Sequence, residues 1–88
     1  MSKFNLGQIV ITAGAHEKLN HYEVLSALTR HSTGDWGDVC EEDKLSNDQA
    51  LEEGLRILSS YQTKDGTKFW IITEWDRSVT TVLLPSEY

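Results

Sequence analysis

The strongest constraint on this chain is a dipeptide, Asp65-Gly66, set between two strand-like runs at 55–63 and 68–74. Asp-Gly between such runs is a strong hairpin signal, because the favoured tight turns need backbone conformations that Gly and Asp tolerate. A second turn, Trp75-Asp76-Arg77-Ser78, leads into a third run at 79–84. Three consecutive strands joined by short turns make an antiparallel meander. In the middle run Phe69, Ile71 and Thr73 share one face, and Trp70, Ile72 and Glu74 the other. Both faces are fairly apolar, so part of the second face is expected to be covered as well.

Upstream the periodicity changes. Gln8-Ile9-Val10-Ile11 is a short β-branched run that reads as an additional strand. Thr12 is placed to cap a helical turn over 15–19. A second helix spans about 21–31, with Val24, Leu25, Leu28 and His31 on one stripe. Ser32 to Asp38 is a loop in which Gly34 and Gly37 bracket Trp36. For a third helix, Ser46 offers an N-cap, Gln49 completes a capping box, Leu45 and Ala50 form a staple, and Gly54 supplies the stop. The expected fold class is α+β, one domain over residues 1–88. Two or three N-terminal helices pack on a three- to four-stranded antiparallel sheet with a C-terminal meander.

Eighty-eight residues with 39% hydrophobic content support one core. They leave little room for a deep cavity, so a functional site is expected on the surface. The single cysteine, Cys40, forms no internal disulfide, which suits a reducing compartment. The first residues carry no apolar leader, and no run is long enough to span a membrane. The expected location is cytoplasmic.

The net charge of −6 is concentrated. Residues 34–54 carry Asp35, Asp38, Glu41, Glu42, Asp43, Asp48, Glu52 and Glu53 against Lys44 alone, a local balance of −7. Non-specific nucleic-acid binding needs clustered Lys and Arg, so this balance argues against it. It suits a basic partner, or simply solubility. The leading expectation is a non-catalytic interaction protein that presents Asp35, Trp36, Asp38, Glu41, Glu42 and Asp43 to a basic protein or protein–nucleic acid complex. Trp36 has two readings, a plug at the end of the core or a contact for the partner.

Metal binding is not expected. The acids lack the ordered spacing of a calcium loop. His16, His21 and His31 lack the i, i+4 spacing of helical zinc ligands, and there is no CxxC pair. No cofactor is implied. A second functional reading is distributed along the chain. His31 would exchange a proton, Arg56 and Arg77 would hold a phosphate, and Tyr61 or Thr80 would complete a metal-independent ribonuclease site. Against it, Asp76 and Arg77 suit a turn and an ion pair, and threonines favour strands.

Several stretches resemble one family. They are Gly7-Gln8-Ile9-Val10, Thr12-Ala13-Gly14-Ala15, His31-x-x-Gly34-Asp35-Trp36-Gly37, the run 54–61, and the run 72–85 from Ile72-Thr73-Glu74-Trp75 to Leu84-Pro85. Together they resemble a widespread family of small bacterial proteins carried on plasmids and other mobile elements. The resemblance implies a setting rather than an activity. Small acidic proteins of mobile elements often bind host machinery, including restriction and CRISPR complexes with basic nucleic-acid grooves. The layout of helices before a meander is also similar to barnase- and RelE-like ribonucleases.

Overall fold

A computed structural model describes residues 2–88. The elements run β1 (Gln8–Ile11), α1 (Ala13–Lys18), α2 (His21–Ser32), α3 (Glu41–Glu53), β2 (Ile57–Gln62), β3 (Lys68–Thr73) and β4 (Val79–Leu83), followed by a 3₁₀ turn at Pro85–Glu87. The fold is α+β, with three helices and a four-stranded sheet in the order β1-β4-β3-β2.

The meander forms as its turns dictate. β2 pairs antiparallel with β3, and β3 with β4. The sheet as a whole is mixed, because β1 runs parallel to β4. This corrects the expectation of a purely antiparallel sheet. The reason is the crossover: α1, α2, α3 and two strands separate β1 from β4, so nothing forces a hairpin between them.

Thr12 caps α1 as expected, its hydroxyl accepting from the Ala15 N–H. Asn20 does the same for α2. α3 starts earlier than its sequence signals indicate. Cys40 is its N-cap and makes no side-chain capping bond, and Glu41, Glu42 and Asp43 fill the first turn. Three carboxylates at the positive end of the helix dipole stabilise that start without a cap. Ser46 therefore lies inside the helix, and the expected staple residue Leu45 is 68% exposed. Gly54 ends α3 in the left-handed conformation, φ 70°.

On the helix-bearing face, Ile71, Val82, Phe69 and Tyr61 pack with Ala15, Leu19, Val24, Ala27 and Leu28. Leu25, expected on the buried stripe, is instead 48% exposed, and Ala27 takes its place inward. A smaller cluster of Trp36, Ala50 and Ile57 sits where α3 meets β2. On the other face Tyr88 stacks edge-on against Trp70, with Arg56 over the Tyr88 ring. No helix of the described residues is long and apolar enough to cross a membrane.

Candidate functional site

Two groups of residues stand out in the sequence, and the structure treats them differently. The first is the set His31, Arg56, Tyr61, Arg77 and Thr80. His31 is 0% exposed, and both ring nitrogens are occupied. Its hydrogens can be assigned from one end. The Leu6 carbonyl only accepts, so Thr80 Oγ1 spends its hydrogen there, at 2.6 Å. Thr73 Oγ1, 2.7 Å away, then donates to Thr80. With its own hydrogen used, Thr73 accepts from His31 Nε2–H at 2.9 Å. The neutral ring's Nδ1 is bare and accepts from Ser59 Oγ–H at 2.5 Å. The result is a directed chain, Ser59 to His31 to Thr73 to Thr80 to Leu6, inside the core.

Phe4 and Trp36 stack edge-on against the imidazole. Burial, and then the nearby Arg77 charge, lower the His31 pKa from 6.5 to about 4. A buried, neutral ring with both nitrogens engaged is not placed to exchange protons with a substrate. This differs from the proton-transfer role drawn for it from the sequence, and the reason is that its partners are strand hydroxyls far along the chain.

The others also serve the scaffold. Tyr61 donates its hydroxyl hydrogen to the Asp35 carbonyl at 2.6 Å, and burial pushes its pKa up to about 12. Arg77 sits at positive φ, 61°. Its guanidinium donates to the carbonyls of Leu55, Glu74 and Ala50, capping the C-terminal end of α3. Arg56 precedes β2 on the opposite face of the sheet and donates to the Tyr88 hydroxyl at 2.6 Å. His31, Thr80 and Tyr61 are buried together in the core, Arg77 is half-buried with its charge felt at His31, and Arg56 stands apart on the other face of the sheet.

The second group is the acidic segment. Trp36 is 4% exposed, and its indole N–H donates to Asp48 at 3.0 Å. Of its two sequence readings, the structure places it as the plug, so it offers no face to a partner. Asp35 is engaged: Arg30 donates to both its carboxylate oxygens, at 2.8 and 3.2 Å, and the Gly37 N–H to one of them. The Arg30 hydrogen bond holds the Asp35 pKa below the usual carboxylate range. Asp38, Glu41, Glu42 and Asp43 are exposed on the approach to α3 and its first turn, and Glu52 and Glu53 are exposed at its far end. Among the described residues, the ion pairs within 4.0 Å are Arg30–Asp35 and Lys44–Glu41. Asp48 is held by the Trp36 indole, and among the described residues Glu42, Asp43, Glu52 and Glu53 face solvent without a cation.

Beside this face lies a shallow groove of about 210 Å³ on the α3–β2 seam, where Asp43, Ser46 and Arg56 surround Leu58. No group of three or more His, Cys, Asp or Glu side chains among the described residues is arranged to hold a metal ion. Comparison with protein-family models, with curated proteins and with solved structures finds no match to this chain.

Sequence reasoning missed Asn47, which is 5% exposed on α3. Its amide donates to the Leu58 carbonyl at 2.7 Å and accepts from the Leu58 N–H at 3.2 Å. The only signal for it was an Asn three residues before Ala50 on the inward helix face, which says nothing of a strand partner.

Proposed function

We propose that this chain is a non-catalytic interaction protein whose acidic face, Asp38, Glu41, Glu42 and Asp43, docks on a basic surface of a protein or protein–nucleic acid complex. The observation that supports it is the concentration of exposed carboxylates on the approach to α3 and along it, where, among the described residues, Lys44 pairs with Glu41 alone. Asp35 and Trp36 drop out of the contact set and act beneath it, Asp35 by fixing the loop and Trp36 by seating α3. The setting in this reading is the bacterial cytoplasm and a mobile element, as the family resemblance implies. A host defence complex with a basic nucleic-acid groove is then the partner class that fits best.

Charge-driven docking weakens with salt, because the Debye length shrinks from about 10 Å at 0.1 M to about 3 Å at 1 M. A partner recovered from host lysate at low salt is expected to be released at high salt. The quadruple variant D38N/E41Q/E42Q/D43N is expected to lose that partner while melting cooperatively. Retention of the partner by the neutralised variant sinks the assignment.

A further inference from the structure

The two edges of the sheet are finished differently, and the unfinished one points to a partner. β1 is an edge strand, bonded only to β4. Gln8 N–H donates to the Ser78 carbonyl and Thr12 N–H to the Val82 carbonyl. Alternate residues of a strand direct their backbone groups to opposite sides. The N–H and C=O of Ile9 and Ile11 therefore point outward, and no backbone bond among the described residues reaches them. Ile9 and Val10 are 46% and 40% exposed. An open, β-branched edge without a charge on it is a template for another strand.

We infer that β1 pairs antiparallel with β1 of a second copy of this chain, about a two-fold axis at Val10, to make one continuous eight-stranded sheet. In that register Ile9 faces Ile11 of the second copy. Each pair exchanges two N–H···O=C bonds, and the outward groups of both strands are all used. Val10 meets its own copy on the sheet's second face. On the helix-bearing face, Ile9 of the copy comes to lie beside Ile11. There Ala15, His16, Leu19, His21 and Val24 leave a groove of about 70 Å³, the scale of one aliphatic side chain. A two-fold contact of this kind is self-complementary by construction.

Charge favours a second copy over a basic partner at this edge. Residues 4–15 contain no Asp, Glu, Lys or Arg, in a chain of net charge −6. The acidic helix α3 packs against β2, the far edge. With strands about 4.8 Å apart, the two β2 edges of the joined sheet lie about 34 Å from each other. That is about four Debye lengths at physiological ionic strength, so the acidic faces of the two copies do not oppose the contact. Four residues of edge make a small interface, below the size of stable dimers, so the association is weak and concentration-dependent.

Sedimentation velocity over a wide concentration range tests this. Wild type is expected to shift from monomer to dimer mass. Val10→Lys and Val10→Glu each place like charges against each other at the axis, and each is expected to weaken the dimer about tenfold or more. Mixing the two variants is expected to restore it, which no contact away from the axis would do. Hydrogen exchange on unmutated protein gives a second reading: protection of the Ile9 and Ile11 amides should rise with concentration, while Val10, bonded to β4, stays protected throughout. A wild type that remains monomeric at all concentrations overturns the inference, as does a failure of the mixed variants to recover the dimer.

Discussion

The sheet has two edges, β1 and β2, and the protein closes only one. At β2, Asn47 satisfies both backbone groups of Leu58, and the loop before α3 satisfies both of Ser60. Ser60 N–H donates to the Trp36 carbonyl at 3.1 Å, and the Asp38 N–H donates to the Ser60 carbonyl at 2.7 Å. Gly37 makes this approach feasible: its φ is 75°, and a Cβ there would collide with the Ser60 carbonyl. At β1, among the described residues, no side chain or loop performs the same service for Ile9 or Ile11. The difference teaches that edge protection is a matter of specific donors and acceptors rather than of strand length or polarity. β2 contains Ile57, Leu58 and Tyr61, yet it is the protected strand.

The closed edge breaks most severely through Trp36. Its side chain seats α3, and its carbonyl holds β2. Trp36→Ala is expected to cost about 3–5 kcal/mol in chemical denaturation, a large share of the stability of a domain this size. A loss under about 1 kcal/mol would mean that the loop, not the indole, closes the edge.

Acid attacks the same edge through Ser59, the β2 residue that donates to His31. The unfolded chain takes up the His31 proton near pH 6.5, and the folded one resists until about 4. Between those values the unfolded state binds more protons, so stability falls as pH falls through the window. The full effect is about 3 kcal/mol. Carboxylates with lowered pKa values, Asp35, Asp65, Asp76 and Glu87, lose their contribution at lower pH, below the usual carboxylate range. A stability profile that is flat from pH 6.5 to 4 would contradict the neutral, buried ring.

Asn47→Ala removes the plug on Leu58 and is expected to cost about 1–3 kcal/mol. Asn47→Asp keeps the acceptor for the Leu58 N–H but sets a carboxylate oxygen against the Leu58 carbonyl in a buried position, so it is expected to cost at least as much as Asn47→Ala. Opening this edge is also expected to make the protein self-associate through β2, visible as light scattering on heating. The open edge marks the other end of the scale. Val10→Thr, on an exposed face with its ladder bonds intact, should change stability by under about 0.5 kcal/mol.

The legible parts of the fold are those with local causes. Asp65-Gly66 announced its hairpin, Thr12 its cap and Gly54 its stop, because each acts within a few residues of itself. The start of α3 is not legible in the sequence because Glu41, Glu42 and Asp43 act through the helix dipole and leave no capping signature, whereas Ser46 imitates one. The parallel pairing of β1 with β4 leaves no mark in either strand. At the candidate site, the acidic run was plain in the sequence, but its division into engaged and free carboxylates was not. That division depends on Arg30 reaching Asp35 and on which way the α3 acids face. His31 was placed on the inward stripe of α2 correctly, while its partners lie 28 and 42 residues away, beyond any periodicity.

Those separations also set an order of assembly. Thr80 and Leu6, joined at the end of the His31 chain, are 74 residues apart, and Gln8 finds its neighbour only at Val79. The earliest strand therefore waits for the latest, and the loop between them must close before either is rewarded. α2 can wind early from its own caps, but its imidazole has no acceptor for Nε2–H until β3 arrives, and Thr73 has none until β4 does. Folding of this small domain is accordingly gated by its most distant contacts, slow for its length and all-or-none at its completion.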